Sequence, residues 1–320
     1  MLQHNDIPLT GLIGSNPLGA LAAFGLLRVC SEISDLMVSR LYWSRDLDGI
    51  PMDDWVAVLR VPNEIGRIEL IENLVTHQKN RSFGVFEWSR DIRISPQEYH
   101  EILSENAEIS TLHDRLDADY FAAFGSEIVT DGSKGLVKPT AFHMTSGQQK
   151  FLENICKIST ALRSGDACIK AFEEALFGPW RYEDRYHSLG WDPSTERLYA
   201  YRYKDPSKKT RDDSPRSVIG AVWFAVESLP LFPTAASRGR LETTGFTTKK
   251  DGTKLIWPIW TRPISIDALR TLLMTSELTS GNKYLEALGR RGVSVVYQAD
   301  RSEFGQGYAI LRPANQIWCI

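Results

Sequence analysis

The stretch Leu12-Ile13-Gly14-Ser15-Asn16-Pro17-Leu18-Gly19-Ala20-Leu21-Ala22-Ala23-Phe24-Gly25-Leu26-Leu27-Arg28-Val29 constrains this chain more than any other. It reads as a strand, a tight glycine turn and then a helix that is apolar on almost every side. Ser15 or Asn16 can accept a hydrogen bond from the orphan amides of the first helical turn. Pro17 suits the first helical position, where its missing N–H is no loss. Gly11, Gly14 and Gly19 invite comparison with a phosphate cradle. Neither GxGxxG nor GxxxxGK[ST] is present, however, and no lysine follows Gly14 where a P-loop needs one. The segment therefore reads as a turn that lets an apolar helix pack tightly. Gly19 and Gly25, six positions apart, do not share a face and read as separate points of close approach.

At 320 residues, with 42% hydrophobic and 24% charged residues, the chain has ample material for a core. The formal net charge of −3 neither favours nor excludes nucleic acid, so any such surface must be local. Cys30, Cys156, Cys168 and Cys319 form no CxxC pair, which argues against both a disulfide framework and a zinc site. The residues before Pro8 lack the basic and apolar regions of a signal peptide. The apolar run from Leu18 to Ile33 is interrupted by Arg28 and Ser31 and is short for a membrane span. A cytoplasmic protein without membrane contact is the expectation.

Hydrophobic periodicity and breaker residues predict a strand over 7–13, a helix over 17–38 and a strand over 40–45. Asp48-Gly49 and Pro51 mark a turn, a helix follows over 63–79, and 83–94 alternates as a strand or hairpin arm. Helices are expected over 95–109 and 111–124, and Thr130-Asp131-Gly132-Ser133-Lys134-Gly135 reads as a loop. A helical stretch over 145–176 breaks near Ser164-Gly165. A loop-rich aromatic and basic region spans 178–215, and a helix follows over 216–228. The end reads as strands 239–247, 253–262, 293–300 and 306–312 with helices 265–275 and 281–290 between them. The expected class is α+β, with a helical N-terminal half carrying a mixed or antiparallel sheet and a β-rich C-terminal part. One unit over 1–320 is expected, with a soft boundary near 129–140 between lobes 1–130 and 140–320.

Catalytic motifs are not evident. The six histidines show no HxH, HxxxH or HExxH spacing, and no GxSxG elbow or placed cysteine nucleophile occurs. Asp114, Asp117 and Asp119 beside His113 could hold a cation, although a solvated helix face explains them more simply. No cofactor or metal is expected. A candidate phosphate site is formed by Thr145, Ser146, Gln148 and Lys150. There a cap at Thr145 or Ser146 would open a helix whose first turn offers amides, glutamines and a lysine. An ordinary cap followed by core residues Phe151 and Leu152 is the alternative.

The strongest binding candidate starts at Trp180-Arg181-Tyr182-Glu183-Asp184-Arg185-Tyr186-His187 and continues past Trp191 and Tyr199 to Arg202, Lys204, Lys208, Lys209 and Arg211. Between 181 and 211 there are eight Lys/Arg against five Asp/Glu, a local excess of cations on a chain of net charge −3. Aromatic rings interleaved with cations suit single-stranded nucleic acid, which stacks on rings while Arg and Lys neutralise its backbone. Trp180, Tyr182 and Tyr186 are the candidate stacking platforms, and Arg181, Arg185, Arg202, Lys204, Lys208, Lys209 and Arg211 the candidate backbone contacts. The competing reading is a strand over 198–203 whose rings pack on the core, beside a basic loop that serves solubility. A smaller basic set, Arg238, Arg240, Lys249, Lys250 and Lys254, falls on an expected hairpin around Asp251-Gly252, where cations often only protect an edge.

The opening Gly14-Ser15-Asn16-Pro17-Leu18-Gly19-Ala20-Leu21-Ala22-Ala23-Phe24-Gly25-Leu26-Leu27-Arg28 resembles the N-terminal segment of CRISPR-associated proteins of type I, subtype I-G (formerly I-U). Leu189-Gly190-Trp191-Asp192-Pro193, Tyr199-Ala200, Asp205-Pro206-Ser207, Gly220-Ala221-Val222-Trp223-Phe224-Ala225 and Leu229-Pro230-Leu231-Phe232-Pro233 resemble the same family. These blocks cover about a quarter of the chain and are of a packing type, so no active-site residue is carried over. The resemblance implies a part in antiviral defence, as a Cascade-type subunit or an accessory protein of the helicase-nuclease. Its implied partners are crRNA, target DNA and other CRISPR-associated subunits. The residues and the resemblance together lead to the expectation of a non-catalytic RNA- or DNA-binding or assembly subunit. The alternatives are a pure protein–protein scaffold and, further off, a metal-dependent nuclease around His113, Asp114 and Asp117.

Overall fold

The computed structural model describes residues 4–81, 92–111, 114–132, 134–145, 150–193, 216–280, 284–304 and 308–320. In chain order the elements are β1 (His4–Ile13), α1 (Pro17–Cys30), β2 (Arg40–Leu47), β3 (Ile50–Pro62), α2 (Arg67–Asn80), α3 (Pro96–Ile109), α4 (Leu116–Phe124), β4 (Gly125–Thr130) and β5 (Val137–Pro139). Next come α5 (Phe151–Ala161), α6 (Gly165–Phe177), α7 (Ile219–Glu227), β6 (Thr234–Ser237), β7 (Arg240–Thr243), β8 (Phe246–Lys249) and β9 (Gly252–Trp260). The chain ends with α8 (Ile266–Leu273), α9 (Ser276–Thr279), α10 (Leu285–Gly289), β10 (Val293–Phe304), β11 (Tyr308–Leu311) and β12 (Asn315–Cys319). Helices and antiparallel sheets are mixed, so the class is α+β.

Helix α1 forms as its composition dictates. The Asn16 side chain accepts from the amides of Leu18 and Gly19, Pro17 opens the first turn, and every residue from Pro17 to Cys30 is buried. The helix stops at Cys30 rather than 38. Ser31 ends it by turning its hydroxyl onto the Arg28 carbonyl, and short polar residues follow that favour turns over helix. The turn before α1 is closed by protein. Gly14 donates its amide to the Trp55 carbonyl and accepts from the Trp257 indole N–H at 2.9 Å. A side chain at Gly19 would collide with the backbone of Ile13. The segment is a packing turn.

The N-terminal sheet has the order β1-β3-β2 and is antiparallel throughout. The β2–β3 turn is made by Asp48 and Gly49, both at positive φ, as a two-residue hairpin turn requires. Strand β3 occupies residues for which the sequence predicted no strand, and it is the central one. The predicted helix over 63–79 starts later, at Arg67, because Asn63 and Glu64 form a turn behind Pro62.

The C-terminal sheet runs β11-β10-β9-β8, and β12 pairs with the first half of β10. Helix α1 packs on α7 and on β1, α6 packs on β1 and α7, and one continuous core reaches from Ile7 to Leu311. Aromatic rings tie the layers together. Phe24 of α1 stacks on Trp260 of β9 at 5.8 Å, and Trp43 of β2 meets the same ring edge-on at 6.3 Å.

Two glycines set how closely the central helices approach. A methyl group on Gly25 of α1 would meet the Phe224 carbonyl of α7, and one on Gly220 of α7 would meet the Ala171 carbonyl of α6. Both contacts are to backbone, which cannot swing aside.

Candidate functional site

The aromatic and basic strip is described over 178–193. After α6 the chain is irregular, with Tyr182 at positive φ and an isolated bridge from Asp184 to Ser217. Exposure alternates along it: Arg181, Glu183 and Arg185 are exposed, while Trp180, Tyr182 and Tyr186 are half-buried against the core. The Trp180 indole donates to the Ala175 carbonyl at 3.1 Å, and Tyr182 meets Trp180 edge-on at 6.3 Å. Arg181 is held by Glu174, which accepts from its amide at 2.6 Å and from its guanidinium at 3.1 Å. Asp184 turns inward and accepts the Ile219 amide at 2.8 Å, capping α7 from outside that helix. Burial raises the carboxyl of Asp184, and the Ile219 amide only partly counters it.

The structure thus brings Trp180, Arg181, Tyr182, Arg185 and Tyr186 onto one segment, cations outward and rings inward. Arg202, Lys204, Lys208, Lys209 and Arg211 lie outside the described residues. So does the expected strand over 198–203. The cation excess lies in the sequence beyond 193, because 181–193 holds two arginines, Arg181 and Arg185, against three acidic residues, Glu183, Asp184 and Asp192.

At the candidate phosphate site, Thr145 is buried and Lys150 is exposed, with its ammonium 3.9 Å from Glu153. Ser146 and Gln148 lie outside the described residues. Helix α5 begins at Phe151 with Lys150 at its N-cap. Thr145 therefore does not cap it, and the expected start near 145 is corrected to 151. Among the aspartates, Asp119 is paired with Arg115 at 2.8 Å, and His113 is outside the described residues. Among the described residues no group of three His, Cys, Asp or Glu side chains is placed to hold a metal.

The sequence reading missed a buried network of charges where the ends of α1 and α7 meet. Arg28, 2% exposed, donates to both the carbonyl and the carboxylate of Glu227, which is 0% exposed. Its third donor reaches Glu32 at 2.5 Å. Arg81 donates to the other oxygen of Glu227, also at 2.5 Å, and lies 3.7 Å from Glu32. The Tyr120 hydroxyl donates to Glu227 at 3.0 Å, and His77 Nε2 lies 3.3 Å from Glu32. Two guanidinium groups face two carboxylates, so the arginine–glutamate quartet is neutral. By bonding the Glu227 carbonyl, Arg28 also satisfies a backbone acceptor at the end of α7. A signal existed in the sequence: Arg28 and Glu227 each sit at the end of an otherwise apolar helical run, and their charges are complementary.

Burial alone would raise the Glu32 carboxyl. Arg28, the hydrogen bond from His77 and Arg81 outweigh it and hold the group down at about 2. Tyr120 is pushed far up, first by burial and then by Glu227. A carboxyl whose folded pKa lies below its unfolded value stabilises the fold above the unfolded pKa. That contribution is lost as pH falls from about 4.5 toward about 2. It is on the order of 2–3 kcal/mol. Acid unfolding followed by circular dichroism should therefore steepen in this window, and Glu32→Gln should flatten it. Parallel curves for the two proteins would contradict this account of the network.

No family model matches the chain, and neither a curated protein nor a solved structure matches it. Among the described residues, no helix is long and apolar enough to cross a membrane.

Proposed function

We propose that the chain is a non-catalytic nucleic-acid-binding or assembly subunit of a type I-G CRISPR interference system. The observation that carries the binding part is the strip beginning at Trp180, where Arg181 and Arg185 point to solvent above half-buried rings. Its continuation to 211 holds six further Lys/Arg against two Asp/Glu from 194 onward. Cations on the outside suit contact with a phosphate backbone, and rings that are only half-buried leave part of their surface for stacking. The assignment to a CRISPR system rests on the blocks quoted above. Those blocks include most of α1 and α7 and the buried loop Leu189-Gly190-Trp191-Asp192, so they act as determinants of the fold.

The test is binding of a labelled single-stranded RNA by fluorescence anisotropy across a salt series. Affinity should fall with a slope of about 0.7 in log K per phosphate contacted, and Lys208→Glu with Lys209→Glu should weaken binding at low salt and reduce that slope. Unchanged affinity in the double variant would remove the strip from consideration. A second reading, a protein–protein scaffold, is favoured by the tie between Arg181 and Glu174 and by the inward-facing rings. It predicts co-purification with other subunits and no binding of naked nucleic acid.

A further inference from the structure

The smaller basic set belongs to two β-hairpins that share a root. Thr244 donates its amide to the Pro233 carbonyl, which closes the β6–β7 hairpin, and Ile256 donates to the Gly245 carbonyl, which closes β8–β9. Each tip lies five or six residues beyond that root, a reach of about 17–20 Å at strand geometry. At the first tip Arg238 and Gly239 both take positive φ, the backbone of a tight two-residue turn, and Arg240 opens the return strand. At the second tip Lys249 pairs with Gly252 across the turn residues Lys250 and Asp251.

Arg238, Arg240, Lys249 and Lys250 are all exposed. Many surface cations of this protein are neutralised locally: Arg115 by Asp119, Lys157 by Glu153, Arg270 by Asp267 and Arg291 by Glu277. Among the described residues, no carboxylate lies within ion-pair distance of the four hairpin cations. Lys254 differs, because Asp251 holds it at 2.7 Å and Asp300 lies 3.6 Å away. Over 234–254 there are five Lys/Arg against two Asp/Glu. Edge protection does not account for the tips. It works along the open side of a strand, whereas Arg238 and Lys250 sit in turns beyond the last ladder pair.

We infer that these two hairpin tips form a second nucleic-acid contact, binding the phosphate backbone of a single strand without reading its bases. The inference rests on the nucleic-acid-binding reading above but on different residues. A phosphate backbone is the favoured polyanion because it repeats its charge regularly and needs no complementary pocket. An acidic protein segment would present fewer and less regular charges.

The experiment compares the full chain with two charge reversals, Arg238→Glu/Arg240→Glu and Lys249→Glu/Lys250→Glu, and with the charge-preserving Arg238→Lys/Arg240→Lys. The probe is a labelled twelve-nucleotide oligouridine, with polyglutamate as competitor and thermal melts as the check on folding. Each reversal should lower affinity about tenfold at low salt and reduce the salt slope by about 1.4, the loss of two phosphate contacts, while the lysine variant binds as the parent does. Parental affinity and slope in both reversals, with binding lost on Lys208→Glu/Lys209→Glu, would overturn this inference and leave the strip standing. Failure of the parent to bind RNA at any salt would overturn both. Polyglutamate competing as well as RNA would reassign the tips to an acidic protein partner and overturn the inference as stated.

Discussion

Arg28→Ala is expected to destabilise the protein by about 3–5 kcal/mol, the usual loss when one partner of a buried ion pair is removed. The physical reason lies in what remains. Glu227, fully buried, keeps only Arg81 and the Tyr120 hydroxyl, and its own carbonyl at the end of α7 loses the Arg28 donor. The informative comparison is the double variant Arg28→Met/Glu227→Leu. It leaves Arg81 beside Glu32, still neutral, and fills the vacated space with apolar atoms. Its expected loss is smaller than that of either single variant combined with the other, giving a coupling of more than about 1 kcal/mol in a denaturant cycle. Additive losses would mean that the two groups act separately, contrary to their contact.

Gly25→Ala is the second large effect. In an exposed helix that change would favour the helical state by about 1 kcal/mol. Here the new methyl group meets the Phe224 carbonyl and the Ser228 amide, both backbone atoms of the neighbouring chain segment. Separating α1 from α7 would also pull Arg28 away from Glu227, so the expected net loss is about 3 kcal/mol or more. Gly132→Ala provides the control, since nothing lies within 4 Å of the added atom and its expected effect is within about 0.5 kcal/mol. Equal melting temperatures for the two variants would show that α1 and α7 are not packed as described.

The opening segment was legible because every local signal in it agrees: the Asn16 cap, Pro17 at the first turn, and an apolar run that ends buried on every side. Strand β3 was obscured by Pro51, which with Asp48-Gly49 reads as a turn, and by Asp53 and Asp54, which are residue types depleted in strands. The run Trp55-Val56-Ala57-Val58-Leu59 that follows is nonetheless what a central strand with much of its length buried looks like. The charge network was harder to foresee, because Arg28 and Glu227 are 199 residues apart and only the packing of α1 on α7 joins them. In the strip, the interleaving of rings and cations was visible, but composition does not say which set faces outward. Packing against the core decides that over 180–186, with the cations outside and the rings half-buried. That no carboxylate among the described residues lies within ion-pair distance of the four hairpin cations likewise depends on where the carboxylates fall in three dimensions.

We propose that the protein works inside an RNA-guided assembly as a non-catalytic subunit. The most direct test of this proposal is purification of the tagged full chain from cells that also express the genes flanking it, followed by sequencing of bound RNA and identification of bound proteins. The account predicts guide-length RNA carrying CRISPR repeat sequence, recovered together with other CRISPR-associated subunits. Recovery of the chain alone, without RNA or partner subunits, or metal-dependent cleavage of nucleic acid by the purified chain, would contradict it.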